Sequence, residues 1–206
     1  MIAIIDYDAG NLKSVKKALE SMKQECVVTR DVHEILTADK VILPGVGAFG
    51  DAMKLLKKYE LDKVIREVTE KQTPFLGICL GLQLLFEGSE ESSGIEGLHI
   101  LDGQVLRIPK EEGIKIPHIG WNSLDYSTQG RLFEGLGDNQ YVYFVHSYYL
   151  KAADPKIVTA TTQYGSTCIH ASVEKGNVFA CQFHPEKSST VGLSILHNFT
   201  KIQGGN

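Results

Sequence analysis

A cysteine held between two glycines at the end of an apolar run constrains this 206-residue chain more than any other feature. Pro74-Phe75-Leu76-Gly77-Ile78-Cys79-Leu80-Gly81-Leu82-Gln83 reads as a strand, a Gly-x-Cys-x-Gly turn and a helix. Such a strand-to-helix elbow lifts its central side chain out of a sheet. Gly77 and Gly81 lack the Cβ atoms that would collide where strand and helix converge. Free N–H groups and the macrodipole at a helix start favour negative charge on a residue placed there. The segment therefore predicts a parallel α/β sheet with a nucleophile on its rim.

The flanking sequence fits that sheet. Residues 1–6 and Val41-Ile42-Leu43 are short apolar runs, each entering a glycine-containing loop, and another strand is expected near Cys26-Val27-Val28. Leu12, Val15, Leu19 and Met22 recur at helical spacing, and helical patterns cover roughly 49–58 and 61–71. This alternation predicts a mostly parallel sheet covered on both faces. From about residue 98 the texture changes to short β-rich runs at 103–108, 141–150, 157–163, 167–174 and 178–183. Glu174-Lys175-Gly176-Asn177 suits a hairpin, and Val191, Ile195, Phe199 and Ile202 mark a final helix. The length suits one domain over 1–206.

A cysteine nucleophile needs a base. His184 follows the apolar run 178–183, with Glu186 two residues further on. Side chains two apart in extended chain share a face, and Pro185 restricts the backbone between them. A carboxylate there can fix the imidazole tautomer and leave the other ring nitrogen for the thiol proton. Cys26, Cys168 and Cys181 lack the elbow and read as packing residues. Cys168, His170, Cys181 and His184 also resemble two metal-ligand pairs. Residues three apart on a strand point to opposite faces, however, and structural zinc sites favour short knuckle loops, so no metal is expected. Pro44-Gly45-Val46-Gly47 is either a plain βα turn or a loop whose N–H groups, with that of Leu80, form an oxyanion hole. Gln83 is either a helix-surface residue or a contact to a polar substrate.

The formal net charge of −4 and the lack of a basic run argue against nucleic-acid binding. No signal-peptide pattern opens the chain, and no apolar run approaches the ~20 residues of a membrane span. The expectation is a cytoplasmic chain with reduced cysteines.

Three motifs together, Leu43-Pro44-Gly45-Val46-Gly47, the 77–83 elbow and Phe183-His184-Pro185-Glu186, resemble the class I (triad) glutamine amidotransferases. Asp6-Tyr7-Asp8-Ala9-Gly10-Asn11-Leu12, Pro117-His118-Ile119-Gly120-Trp121-Asn122 and Phe144-Val145-His146-Ser147-Tyr148-Tyr149 are similar to segments of one branch, the glutaminase subunits of imidazole glycerol phosphate synthases. Asp8 stands where that branch usually has glycine. The resemblance implies a flavodoxin-like α/β fold with a central mixed, mostly parallel sheet and an antiparallel second half. It implies hydrolysis of L-glutamine through a γ-glutamyl thioester, with ammonia passed to a cyclase subunit in a heterodimer of histidine biosynthesis. Carried over by motif, Cys79 is the nucleophile, His184 the base and then acid, and Glu186 the orienting carboxylate. Gly45, Val46, Gly47 and Leu80 match the oxyanion region. Gln83, Ser147 and Tyr148 match glutamine-binding positions, and Asn11, Trp121, Asn122 and Lys187 fall in segments facing the partner. No cofactor is implied. The rival readings are a glutaminase serving anthranilate or aminodeoxychorismate synthase, a cysteine peptidase, and a non-catalytic interaction subunit.

Overall fold

The computed structural model describes residues 1–126 and 130–205. The first half alternates strand and helix as β1 (Ile2–Ile5), α1 (Leu12–Ser21), β2 (Cys26–Thr29), α2 (Val32–Thr37), β3 (Lys40–Gly45), α3 (Phe49–Lys58), α4 (Leu61–Glu70), β4 (Phe75–Cys79) and α5 (Leu80–Leu84). The second half is β-rich: β5 (Gly88–Ser89), β6 (Gly103–Arg107), β7 (His118–Ser123), β8 (Asp125–Tyr126), β9 (Tyr141–His146), β10 (Tyr148–Ala152), β11 (Val158–Tyr164), β12 (Thr167–Lys175) and β13 (Val178–Cys181), closed by α6 (Ser189–Lys201).

Among the described residues the main sheet has eight strands in the order β2-β1-β3-β4-β13-β12-β11-β8. The pairs from β2 to β13 are parallel, and those from β13 to β8 are antiparallel. Strand β13 therefore closes the parallel part beside β4 and opens the antiparallel part beside β12. Its hairpin to β12 turns at Gly176-Asn177, where Lys175 faces Val178. One face of the sheet packs Leu43, Phe49, Leu56, Ile65 and Leu82; the other packs Val15, Leu19, Phe179, Ile195 and Phe199. Strands β7 and β9 form a separate antiparallel ribbon, and β10, β6 and β5 form a small sheet.

Three local expectations are corrected. The run at 141–150 is two strands, broken at Ser147, so the chain leaves the ribbon and enters the small sheet there. The segment 178–183 is strand only through Cys181. The helix after Cys79 has five residues, too short to build a full macrodipole. Asp8 adopts φ +67°, a backbone state that glycine takes freely. Its exposed carboxylate accepts from Arg30 Nη2 at 2.5 Å and from the Tyr59 hydroxyl.

Candidate active site

The elbow is held by close packing. Gly45 lies opposite Cys79 in the β3–β4 register. A Cβ on Gly81 would sit 1.9 Å from the Leu43 carbonyl oxygen, and one on Gly77 would sit 2.7 Å from the Gly81 oxygen. A Cβ on Gly45 would meet the Tyr7 hydroxyl at 2.7 Å and Leu80 Cβ at 2.8 Å. Three glycines thus let β3, β4 and α5 close onto one another. Cys79 at their junction has φ +56° and ψ −109°. That conformation costs of order 1–3 kcal/mol in a non-glycine residue and persists only where the surroundings over-determine it.

His184 reaches the elbow from the next strand. It leaves the end of β13 in extended conformation, with φ −100° and ψ +97°, and caps a 3-10 turn, Pro185–Lys187. Its Nδ1 lies 2.8 Å from Glu186 Oε1, and both side chains are only 1% exposed. The two meet around that turn rather than along a straight strand, the geometry first expected. Ser188 fixes the turn in place: its Oγ donates to the His184 carbonyl at 2.6 Å and accepts from Tyr143 N–H at 2.9 Å. Gly192 lets α6 close on the same turn, since a Cβ there would lie 1.9 Å from the Pro185 carbonyl oxygen. Burial would push the His184 imidazole down, but Cys79 and Glu186 outweigh it and raise its pKa to about 9. Among the described residues His184 Nε2 is buried with no hydrogen-bond partner, and the ring lines the same cavity as Cys79.

Cys79, Leu80, Gln83, Ser147, Tyr148, His184, Val46 and Gly47 line one cavity of about 330 Å³. Gly45 lies buried beneath it. Pockets for small ligands run from about 300 Å³ upward, so a compact substrate fits this one. Gln83 is buried rather than on a helix surface, and its Nε2 donates to the Tyr148 carbonyl and to Gln182 Oε1, each at 3.0 Å. Sequence reasoning missed Gln182 and Ser188. Both are buried polar residues in an apolar setting, a signal available only as Gln182 within the run 178–183 and Ser188 just past the His-Pro-Glu motif.

The proposed partner-facing residues divide. Trp121 is 53% exposed and shares one face of the ribbon with Ile119 and Tyr141, at 59% and 54%. Asn122, its neighbour on β7, turns to the other face and donates to the Gln163 carbonyl at 2.9 Å. Lys187 is exposed on the 3-10 turn beside Glu186, and Asn11 precedes α1, half-buried. Behind the ribbon, His118 Nδ1 and His146 Nε2 lie 3.0 Å apart, with His118 stacked on Phe144 and Tyr164. The residues weighed as metal ligands do not converge. Cys168 is exposed, Cys181 is fully buried, and His170 Nδ1 accepts from Ala152 N–H at 3.1 Å. Among the described residues no helix is long and apolar enough to cross a membrane.

A buried His–Glu pair and a strained cysteine facing one cavity on an α/β sheet suit acyl transfer by a thiol. The chain belongs to the class I glutamine amidotransferases, whose family model matches residues 3–202. Within that family it is 51% identical over 201 residues to the imidazole glycerol phosphate synthase subunit HisH of Moorella thermoacetica, covering 98% of this chain and 94% of that one. It is likewise 51% identical over 199 residues to the HisH subunit of Aquifex aeolicus, covering 96% and 95%. The fold is shared with a solved glutamine amidotransferase at a TM-score of 0.74 and 21% identity, over 97% of this chain and all of that one. It is shared also with the glutaminase domain of Trypanosoma brucei CTPS, solved with acivicin, at 0.69 and 17% identity, over 99% and 95%.

Proposed function

We infer that this chain is the glutaminase subunit of an imidazole glycerol phosphate synthase, hydrolysing L-glutamine to glutamate and ammonia for a cyclase subunit. The observation that carries the chemistry is the His184–Glu186 pair, 2.8 Å apart and buried, facing the cavity that holds Cys79. The assignment to this synthase rests on relatives about half identical over nearly the whole chain.

In the proposed reaction His184 takes the Cys79 thiol proton and the sulfur attacks the side-chain amide carbon of glutamine. The carbonyl oxygen takes up the negative charge and is met by N–H groups of Leu80 and the 45–47 loop, the kind of stabilisation worth about 10²–10³ in rate per donor. The C–N bond breaks as His184 protonates the leaving nitrogen, and ammonia departs from a γ-glutamyl thioester. Neutral His184 then takes a proton from water, the resulting hydroxide attacks the thioester carbon, and the C–S bond breaks to give glutamate. Glu186 holds the imidazole in register for both transfers. Gln83, Ser147 and Tyr148 bind the substrate's polar groups.

Ammonia released into neutral water becomes ammonium, which is not a nucleophile, so the cavity should face the joint with the cyclase. The exposed ribbon face around Trp121 is the anchor we propose for that heterodimer, with Asn11 and Lys187 as further contacts and Asn122 bracing the strand from its inner face. The four cysteines are free thiols, which accords with a cytoplasmic location. The test is ammonia release from glutamine with and without the cyclase subunit and its nucleotide substrate. Turnover should rise in the complex. Cys79→Ala should abolish glutamine-dependent synthesis yet leave synthesis from ammonium salts intact. Retained glutaminase activity in Cys79→Ala, or labelling of another cysteine first by a glutamine-like electrophile, would overturn the assignment.

A further inference from the structure

The nucleophile's surroundings include a fully buried side chain that the reaction above does not use. Gln182 is 0% exposed, immediately after β13, and its Nε2 lies 3.7 Å from Cys79 Sγ. We propose that Gln182 is a further catalytic residue, an obligate hydrogen-bond donor to the reacting sulfur, and that Gln83 positions it. This rests on the reading of Cys79 as the nucleophile.

The direction of that bond follows from one backbone atom. The Tyr148 carbonyl can only accept, so the Gln83 amide must turn its NH2 group toward it, at 3.0 Å. The same NH2 group reaches Gln182 at 3.0 Å, so Gln182 must present its oxygen there. Its own NH2 group is then left facing the sulfur. Two amides in series carry the polarity of a carbonyl on β10 to the elbow at the end of β4. The His146 ring reinforces the start of the chain, with Nδ1 2.8 Å from the same carbonyl. The backbone of Gln182 is pinned as well, its N–H donating to the Ala171 carbonyl at 2.8 Å.

A donor in that place favours the sulfur when it bears charge. A thiol can send its proton to the Val145 carbonyl, 3.9 Å from Sγ, and gains little from a second donor. A thiolate has only acceptor capacity, and a bond to a charged group is roughly twice as strong as a neutral one. Gln182 would act twice in the cycle: before attack on glutamine, and again when the thioester breaks and the sulfur leaves. With both donors engaged, Gln83 has its carbonyl oxygen left for the substrate in the cavity it lines. Substrate binding there would polarise the amide chain toward the sulfur.

The test uses Gln182→Leu and Gln182→Met, both of which remove the amide facing the sulfur and keep an apolar side chain of similar size. Each is checked for folding by circular dichroism and assayed in the complex with the cyclase. Mapped iodoacetamide labelling of Cys79 at neutral pH should slow about tenfold in both variants, the scale of one charge-assisted bond. Its rate profile should move to higher pH in both. The kcat for glutamine should fall in parallel while KM changes less than about threefold, because Gln182 does not line the substrate cavity. A folded variant whose Cys79 labels at the unmutated rate would overturn the proposal. Should neither variant fold, the Gln182 side-chain amide protons of the unmutated protein are followed by NMR, and no movement on alkylation of Cys79 would overturn it equally. Slowed labelling in a protein whose unmutated form releases no ammonia from glutamine would sink the glutaminase reading and leave the Gln182–sulfur bond standing.

Discussion

The rim of the parallel sheet around Cys79 and the β7–β9 ribbon around Trp121 lie on either side of one cavity, and they are built on opposite terms. At the rim, strand β4 is buried along its whole length and glycines let three elements touch. On the ribbon, alternation leaves one face packed and the other in solvent, with Phe144 fully buried and Ile119, Trp121 and Tyr141 more than half exposed. A reacting sulfur needs a geometry that cannot relax. The docking role proposed for the ribbon needs apolar surface that stays uncovered until a partner arrives.

The contrast is broken most severely by filling its glycines. Gly81→Ala places a Cβ 1.9 Å from a backbone oxygen that cannot move aside, so a loss of at least about 3 kcal/mol, or no folded protein, is expected. Gly120→Ala on the ribbon meets open space and bears only the strain of its φ of +131°, a cost of about 1–3 kcal/mol. Denaturant unfolding of both decides the point, and equal losses would show that the rim is no tighter than the ribbon.

Next come the groups proposed to move and steer the proton. His184→Ala should lower glutamine turnover by roughly 10²–10⁴-fold. Glu186→Gln should lower it less, since the role proposed for Glu186 is to orient the ring without moving a proton. Turnover of Glu186→Gln equal to that of the unmutated protein would remove Glu186 from the site.

The two regions should also respond to pH with opposite signs. Burial pushes His118 down to about 4 and, aided by His118 and His184, pushes His146 down to about 3 despite the Tyr148 carbonyl. The unfolded chain takes up these protons from about pH 6.5 downward. The stability they contribute is therefore complete above that pH and lost as acid approaches the folded values. His184 is raised to about 9, so its contribution is complete below about pH 6.5 and lost as pH rises through 9. In melting temperatures across this range, His118→Gln should flatten the acid limb alone and His184→Gln the alkaline limb alone.

The smallest effect on the fold should come from Trp121→Ala, within about 0.5 kcal/mol, because the ring stands mostly in solvent. The same change should weaken the cyclase complex by tenfold or more, as loss of an aromatic anchor does. A folded variant with unchanged association and stimulation would move the docking face elsewhere.

Much of this was legible in the sequence, because local rules govern it. The βα rhythm, the glycines flanking Cys79 and the hairpin at Gly176-Asn177 follow from periodicity and backbone freedom within a few residues. The proximity of His184 and Glu186 also needed only short range, although a 3-10 turn rather than extended chain brings them together. The break at Ser147 was not legible, since β9 and β10 read as one β-rich run and separate only because they pair with different strands.

The sequence by itself determined that a cysteine would stand on a strand-to-helix elbow with a His-Pro-Glu segment to serve it. Which faces meet was decided only by the tertiary structure. Adjacent Trp121 and Asn122 look alike as a motif, yet one is exposed and the other bonds inward, because strand side chains alternate and only sheet pairing says which side is covered. Gln182 reaches a sulfur 103 positions earlier because β13 lies beside β4, and its polarity comes from a carbonyl on a third strand. Such contacts depend on register between distant segments, which local propensity does not encode.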